Sequence, residues 1–176
     1  MFLDVGCCDL QTSLKFKELC KNVKKIYAFE PDSDNYKVCL NRIKTENHKE
    51  IELLPYGAWD ETARLSFQSG LRGASYIDDA NSSDDYIDVI QIDSLMNKEE
   101  VTFIKMDIEG AELKALKGAK NIILRDKPKL AISIYHKPED IVEIPLFIKE
   151  LVPEYKLYIR HYSNDSIETV LYAVIS

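Results

Sequence analysis

Acids and one histidine stand at the ends of apolar runs along this chain: Asp4 in FLDVG, Glu30 in YAFEPD, Asp107 and Glu109 in KMDIEG, and His136 in ISIYHKP. Such side chains accept hydrogen bonds, hold a positive charge or take a proton, and what they do together depends on whether one fold gathers them. Glu30 lies 26 residues after Asp4, near the offset of about 20 at which an acid in a dinucleotide-type fold accepts hydrogen bonds from ribose hydroxyls. A carboxylate suits a diol because it accepts two hydrogen bonds and donates none. The plainer alternative for Glu30 is an acid solvated in a loop.

The stretch FLDVGCCDLQTS narrows the choice of nucleoside. After Gly6, the glycine-equivalent positions hold Cys8 and Leu10, so the G-x-G-x-x-G fingerprint that brings a pyrophosphate against backbone amides is incomplete. A nucleoside without phosphates needs less room and less positive potential, and Asp4 at a strand end favours a cation. S-adenosylmethionine meets these conditions, with its ribose on Glu30, its adenine at the loop after the third strand and its sulfonium near the acids. The expected cofactor-binding residues are therefore Asp4, Gly6, Cys7, Cys8, Glu30, Pro31, Gly57, Ala58 and Asp107. A nicotinamide-dependent nucleotide-sugar enzyme is the competing enzymatic reading. A Rossmann-like domain that only binds partners is the non-enzymatic one.

Those residues need elements that carry them to one place. Helical spacing of apolar residues predicts helices over Leu14–Val23, over DNYKVCLNRIK behind Asp32 or Ser33 as cap, over AELKALKGAKNIIL, and over EDIVEIPLFIKEL, interrupted or restarted at Pro145. Short apolar runs between them read as buried strands, and YKLYIRHY and ETVLYAVIS as two final strands around the turn SNDS. Between 61 and 93, ARLSFQ and YIDVIQID alternate apolar and polar residues, which suggests an antiparallel insertion. The alternation of strands and helices predicts an α/β fold: a mostly parallel, Rossmann-like sheet with helices on both faces and an antiparallel edge. Such sheets bind ligands beyond the carboxyl ends of their strands, where the acids stand.

At 176 residues the chain is long enough for one sizeable core, and a single domain over 1–176 is expected. The net charge of −7 repels phosphate backbones and argues against a nucleic-acid partner. No apolar run of about 18 residues predicts a membrane span, and no secretory signal opens the chain. Cys7, Cys8, Cys20 and Cys39 match no zinc spacing and read as free thiols in a reducing cytoplasm. Oligomeric state is not legible.

DVGCCDLQTS, YAFEPD, KMDIEGAE, YHKPEDIVEIP, RHYSND and ETVLYAV follow one another from the start of the chain to Val174. In that order they resemble the blocks of the FkbM-type methyltransferase family. The resemblance implies the class I Rossmann-like methyltransferase fold, S-adenosylmethionine as methyl donor, and a hydroxyl acceptor on a sugar, glycan or secondary metabolite. Cys7, Cys8 and Leu10 depart from the family's first block, where alanine, asparagine or an aromatic residue, and glycine are usual. A leader segment that usually precedes the first strand in the family is expected to be absent.

Methyl transfer to oxygen is an in-line displacement that gains from positioning and from a base. His136 is the expected base, Asp107 the residue at the methionine end or orienting the hydroxyl, and Glu109 a second candidate base. Lys105, Tyr135 and His161 are expected on the acceptor side. Asp107, Glu109 and His136 would also make an oxygen and nitrogen set for a divalent metal. No metal is assigned, because only two acids are well placed and magnesium prefers oxygen ligands.

Overall fold

The computed structural model describes residues 1–68, 76–77, 85–96 and 99–175. Its main sheet has seven strands in the order β10-β11-β9-β8-β1-β2-β3. The central strands are β1 (Phe2–Val5), β2 (Ile26–Phe29), β3 (Ile51–Leu54), β8 (Phe103–Met106) and β9 (Lys129–Ser133), all parallel. β11 (Thr169–Val174) pairs antiparallel with β9, and β10 (Lys156–His161) pairs antiparallel with β11, forming the expected edge. Buried on both faces, the central strands carry short apolar runs rather than alternation.

Side-chain alternation assigns the two faces. Phe2, Ile26 and Ala28 pack with Cys39, Leu14 and Phe16 under α1 (Gln11–Leu19) and α2 (Ser33–Thr45). Leu3, Val5, Ile104 and Met106 join the larger cluster with Leu116, Ile123, Ile144 and Ile148, from α4 (Glu112–Gly118), α5 (Lys120–Asp126) and α6 (Asp140–Leu151). Two layers of helix thus sandwich one sheet.

Helix boundaries depart from the spacing in instructive ways. α1 runs from Gln11 to Leu19, three residues earlier than the apolar pattern begins, because Asp9 Oδ1 accepts the Gln11 amide (3.0 Å) and Leu10 turns the chain in the left-handed region. Asp32 caps α2, its Oδ1 accepting the amides of Asp34 and Asn35 at 2.9 and 3.0 Å. The helix expected over AELKALKGAKNIIL divides at Ala119 into α4 and α5. Pro145 lies inside α6, in its second turn.

A second sheet has the order β4-β7-β5-β6: β4 (Gly57–Ala58), β7 (Tyr86–Ile90), β5 (Ala63–Gln68) and β6 (Tyr76–Ile77). β5 is antiparallel to β7 and β6, whereas β4 pairs parallel with β7, so this sheet begins at Gly57, ahead of the segment expected to be inserted. Much of the polar stretch between β5 and β7 lies outside the described residues. α3 (Ile92–Leu95) leads back toward the main sheet.

Candidate cofactor pocket and acceptor site

An open cleft of roughly 610 Å³, mouth included, lies beyond the carboxyl ends of β1, β2 and β8. Its walls come from the loop after β1 (Gly6, Cys8), the end of β2 (Glu30, Pro31), Tyr56 to Ala58 at the second sheet, Phe67 and Ile87 within that sheet, and Asp107 to Glu109 after β8. Six of the nine expected cofactor residues line it in addition to Asp107: Gly6, Cys8, Glu30, Pro31, Gly57 and Ala58. Asn35, Tyr56, Phe67 and Ile87 line it as well, and as residues of helix, loop and strand faces they carried no chemical signal in the sequence.

Glu30 is 5% exposed, and both its oxygens are engaged. Oε2 accepts the Cys8 amide at 2.9 Å and Oε1 the Asp32 amide at 3.0 Å, so one carboxylate ties the end of β2 to the loop after β1. Burial pushes its carboxyl up to about 7 against the pull of those two amides. A carboxylate oxygen has a second lone pair, so each can still accept a ligand hydroxyl.

The loop after β1 is bent tightly. Gly6 has φ 78°, and a Cβ there would sit 2.1 Å from the Asp107 carbonyl oxygen, so the loops after β1 and β8 touch only because residue 6 has no side chain. Cys8 (φ 52°) and Leu10 (φ 69°) are also left-handed. The Cys7 Sγ lies 4.0 Å from Cys39 Sγ, and Cys39 Sγ donates to the Cys8 carbonyl at 3.0 Å. The Cys39 contact, burial and Asp4 push the Cys7 thiol up; burial and Glu30 do the same to Cys8. Both thiols are therefore held protonated and unreactive.

Asp4 and Lys105 sit behind this loop rather than on the pocket wall. Asp4 is fully buried; its Oδ2 accepts Ser13 Oγ at 2.6 Å and its Oδ1 is 3.4 Å from Lys105 Nζ. Lys105 donates to the Gly6 carbonyl at 2.7 Å. Burial pulls the ammonium down, but the charges of Asp4 and Asp107 outweigh it and hold it above the usual lysine value. The pair clamps the backbone that forms the pocket floor. His161 stands apart on the edge strand β10, exposed, with its Nδ1 2.8 Å from Thr169 Oγ1.

Beside Asp107 and Glu109 on the cleft wall, acids converge on His136, which does not itself line the cleft. Its Nε2 is 3.6 Å from Asp107 Oδ1 and 3.4 Å from Glu109 Oε2, and its Nδ1 is 2.9 Å from Glu112 Oε1 in a contact not aligned as a hydrogen bond. Tyr135 donates to Asp107 Oδ1 at 3.2 Å, and its ring lies tilted by 40° against the imidazole with centroids 4.0 Å apart. Burial pulls His136 down, but Glu112, Glu109 and Asp107 prevail and hold it above the ordinary histidine value. Burial, then Asp107 and Glu112, push Glu109 up. Burial and then Glu112 raise Asp140 to about 6. Glu112 is the site residue that the sequence reading missed: an acid in the first turn of a helix looks like ordinary dipole compensation.

A mostly parallel seven-stranded sheet, helices on both faces, an antiparallel edge, and a cleft beyond the strand ends make up the class I methyltransferase fold. The chain belongs to the FkbM methyltransferase family, whose domain model matches residues 4–158. It is similar to the FkbM methyltransferase of Methylobacillus flagellatus, with 31% identity, a TM-score of 0.83, and coverage of 98% of this chain and 43% of the other. The chain thus spans less than half the length of that protein. The fold is also that of an rRNA methylase from Streptococcus thermophilus (15% identity, TM-score 0.60, 98% and 83% coverage). Aeropyrum pernix fibrillarin, solved with natively bound S-adenosyl-L-methionine, shares it too (13%, 0.58, 98% and 65%). No curated protein matches the sequence. Among the described residues, no helix is long and apolar enough to cross a membrane.

Proposed function

We propose that the chain is an S-adenosylmethionine-dependent O-methyltransferase acting on a hydroxyl of a small molecule or glycan. The observation that carries this reading is that Glu30, Asp107 and Glu109 line one cleft, with His136 against the last two. Glu30 takes the ribose diol, Gly6 and Cys8 pass along the nucleoside, and Gly57, Ala58 and Pro31 border the adenine. When bound, the cofactor supplies a methyl carbon on a positively charged sulfur, which suits a cleft ending in Asp107 and Glu109.

The acceptor hydroxyl docks at the cluster of Asp107, Glu109 and His136. That cluster would take the hydroxyl proton as the oxygen is methylated, and S-adenosylmethionine, when bound, would supply the methyl group and leave as the neutral thioether. Tyr135 steers Asp107 through its hydroxyl. A net charge of −7 supports an acceptor other than nucleic acid, and four free cysteines support a reducing, cytoplasmic setting.

Incubation with S-adenosylmethionine labelled on the methyl group and a panel of sugars, phenols and polyketide alcohols tests the assignment. Label is expected in a hydroxyl-bearing product, with transfer reduced at least a hundredfold in His136→Ala while S-adenosylhomocysteine affinity stays within threefold. Transfer that survives His136→Ala undiminished removes the cluster from the reaction.

A further inference from the structure

We propose that Asp107, Glu112 and His136 bind a divalent cation at the acceptor end of the cleft, a reading that deepens the methyltransferase assignment and relies on it for the ion's role, not for its binding. One donor atom from each of the three lies within 4.8 Å of the others. The His136 side chain is only 8% exposed, yet neither ring nitrogen has a hydrogen-bond partner among the described residues. Glu112 is fully buried; its Oε1 accepts the Ile108 amide at 2.9 Å, and its Oε2 has no partner.

Distances around the imidazole point the same way. Nε2 lies 3.6 and 3.4 Å from carboxylate oxygens of Asp107 and Glu109, longer than an N–H···O hydrogen bond of about 2.9 Å. The Glu109 distance falls within, and the Asp107 distance just above, the separation of about 3.0–3.5 Å between two ligands held on one cation by bonds of about 2.1 Å, while Glu112 Oε1 meets the ring at Nδ1, 2.9 Å away. Three carboxylates crowd one imidazole here, and a positive charge, whether the ring's own proton or a bound cation, is what offsets their repulsion. Lys105 does not supply it, being committed to Gly6 and Asp4.

The site is also reachable. The side chains of Asp107 and Glu109 are 39% and 33% exposed, so an ion can enter from the cleft and still meet an acceptor oxygen. Two acids alone made a poor magnesium site; the buried Glu112, brought in by the first turn of α4, supplies the missing anionic ligand. A set that mixes one imidazole with carboxylates suits a borderline ion such as Mn²⁺ better than Mg²⁺. There the ion would hold the acceptor oxygen and make its hydroxyl more acidic.

The test is titration of the EDTA-stripped chain with MnCl₂ alone, reading free Mn²⁺ by electron paramagnetic resonance and the His136 ring by NMR. One Mn²⁺ per chain is expected, with the His136 ring signals broadened. Affinity should fall at least tenfold in Asp107→Asn and in Glu112→Gln and be unchanged in Glu18→Gln, on an exposed helix face. If Glu112→Gln does not fold, the partly exposed Asp107→Asn still decides. No binding up to millimolar Mn²⁺, or binding that persists in Asp107→Asn with His136 unbroadened, overturns the site. S-adenosylhomocysteine calorimetry on the same stripped sample separates the two readings: heat from the nucleoside without Mn²⁺ binding removes the ion and leaves the cofactor pocket standing.

Discussion

Glu30 ties two loops of the fold together and, in the function proposed, also takes the ribose, and the two demands on it conflict. Its carboxyl titrates near 7 in the folded chain against about 4.5 when unfolded, because burial outweighs the two amides it accepts. For an acid raised in this way, the stabilising contribution is fully present below about 4.5 and is lost as pH rises through about 7. The ligand-free fold therefore carries a strained charge at pH 8, worth up to roughly 3 kcal/mol for a shift of this size. A ribose diol donates two hydrogen bonds to the ionised form and relieves that strain. Two results follow: wild-type stability should fall relative to Glu30→Gln as pH goes from 5 to 8 in urea melts, and S-adenosylhomocysteine should bind more tightly over the same range with net proton release. Calorimetry in buffers of different ionisation enthalpy reads the proton directly, and proton uptake on binding would contradict the assignment.

At the scale of elements, the loop between β1 and α1 decides how much the sequence could tell. Strands β1, β2, β8 and β9 were legible because apolar runs bounded by an acid or glycine can be little else in a buried parallel sheet. The start of α1 was not, since its cap is Leu10, a left-handed residue with no capping side chain. A leucine at φ 69° costs about 1 kcal/mol, yet its side chain is wholly buried, which contributes about 2 kcal/mol. Burial wins, so the residue holds the loop rather than distorting it. Leu10→Gly should destabilise the chain by about 2 kcal/mol in chemical denaturation, a loss of roughly 3 in packing less about 1 in relieved backbone. A more stable Leu10→Gly would mean that the strain dominates. The site was legible to the same degree: strand-end acids announced the cleft, but Asp4 and Lys105 lie as an ion pair behind it, and Glu112 and the apolar wall came only with tertiary packing.

For the whole molecule, the cleft is made by two sheets. The main sheet presents Glu30 and Asp107 from its strand ends, and the second sheet places Phe67 and Ile87 opposite them. A side chain at Gly57 would crowd Val89 and Ile87 of β7 and reach within 3.9 Å of Pro31, which follows β2, so the second sheet comes up to the end of the main one beside this glycine. Phe67→Ala removes an aromatic wall from the nucleoside side without touching the main sheet, and should weaken S-adenosylhomocysteine binding about tenfold, near 1.4 kcal/mol. An unchanged affinity would place the adenine elsewhere.

Calorimetric titration of the chain with S-adenosylhomocysteine, paired with a thermal melt, addresses the central claim most directly. Saturable one-to-one heat and a raised melting temperature, both lost in Glu30→Ala, are the predicted results. Neither heat nor a thermal shift with this nucleoside or with S-adenosylmethionine would contradict the cofactor pocket and every step built upon it.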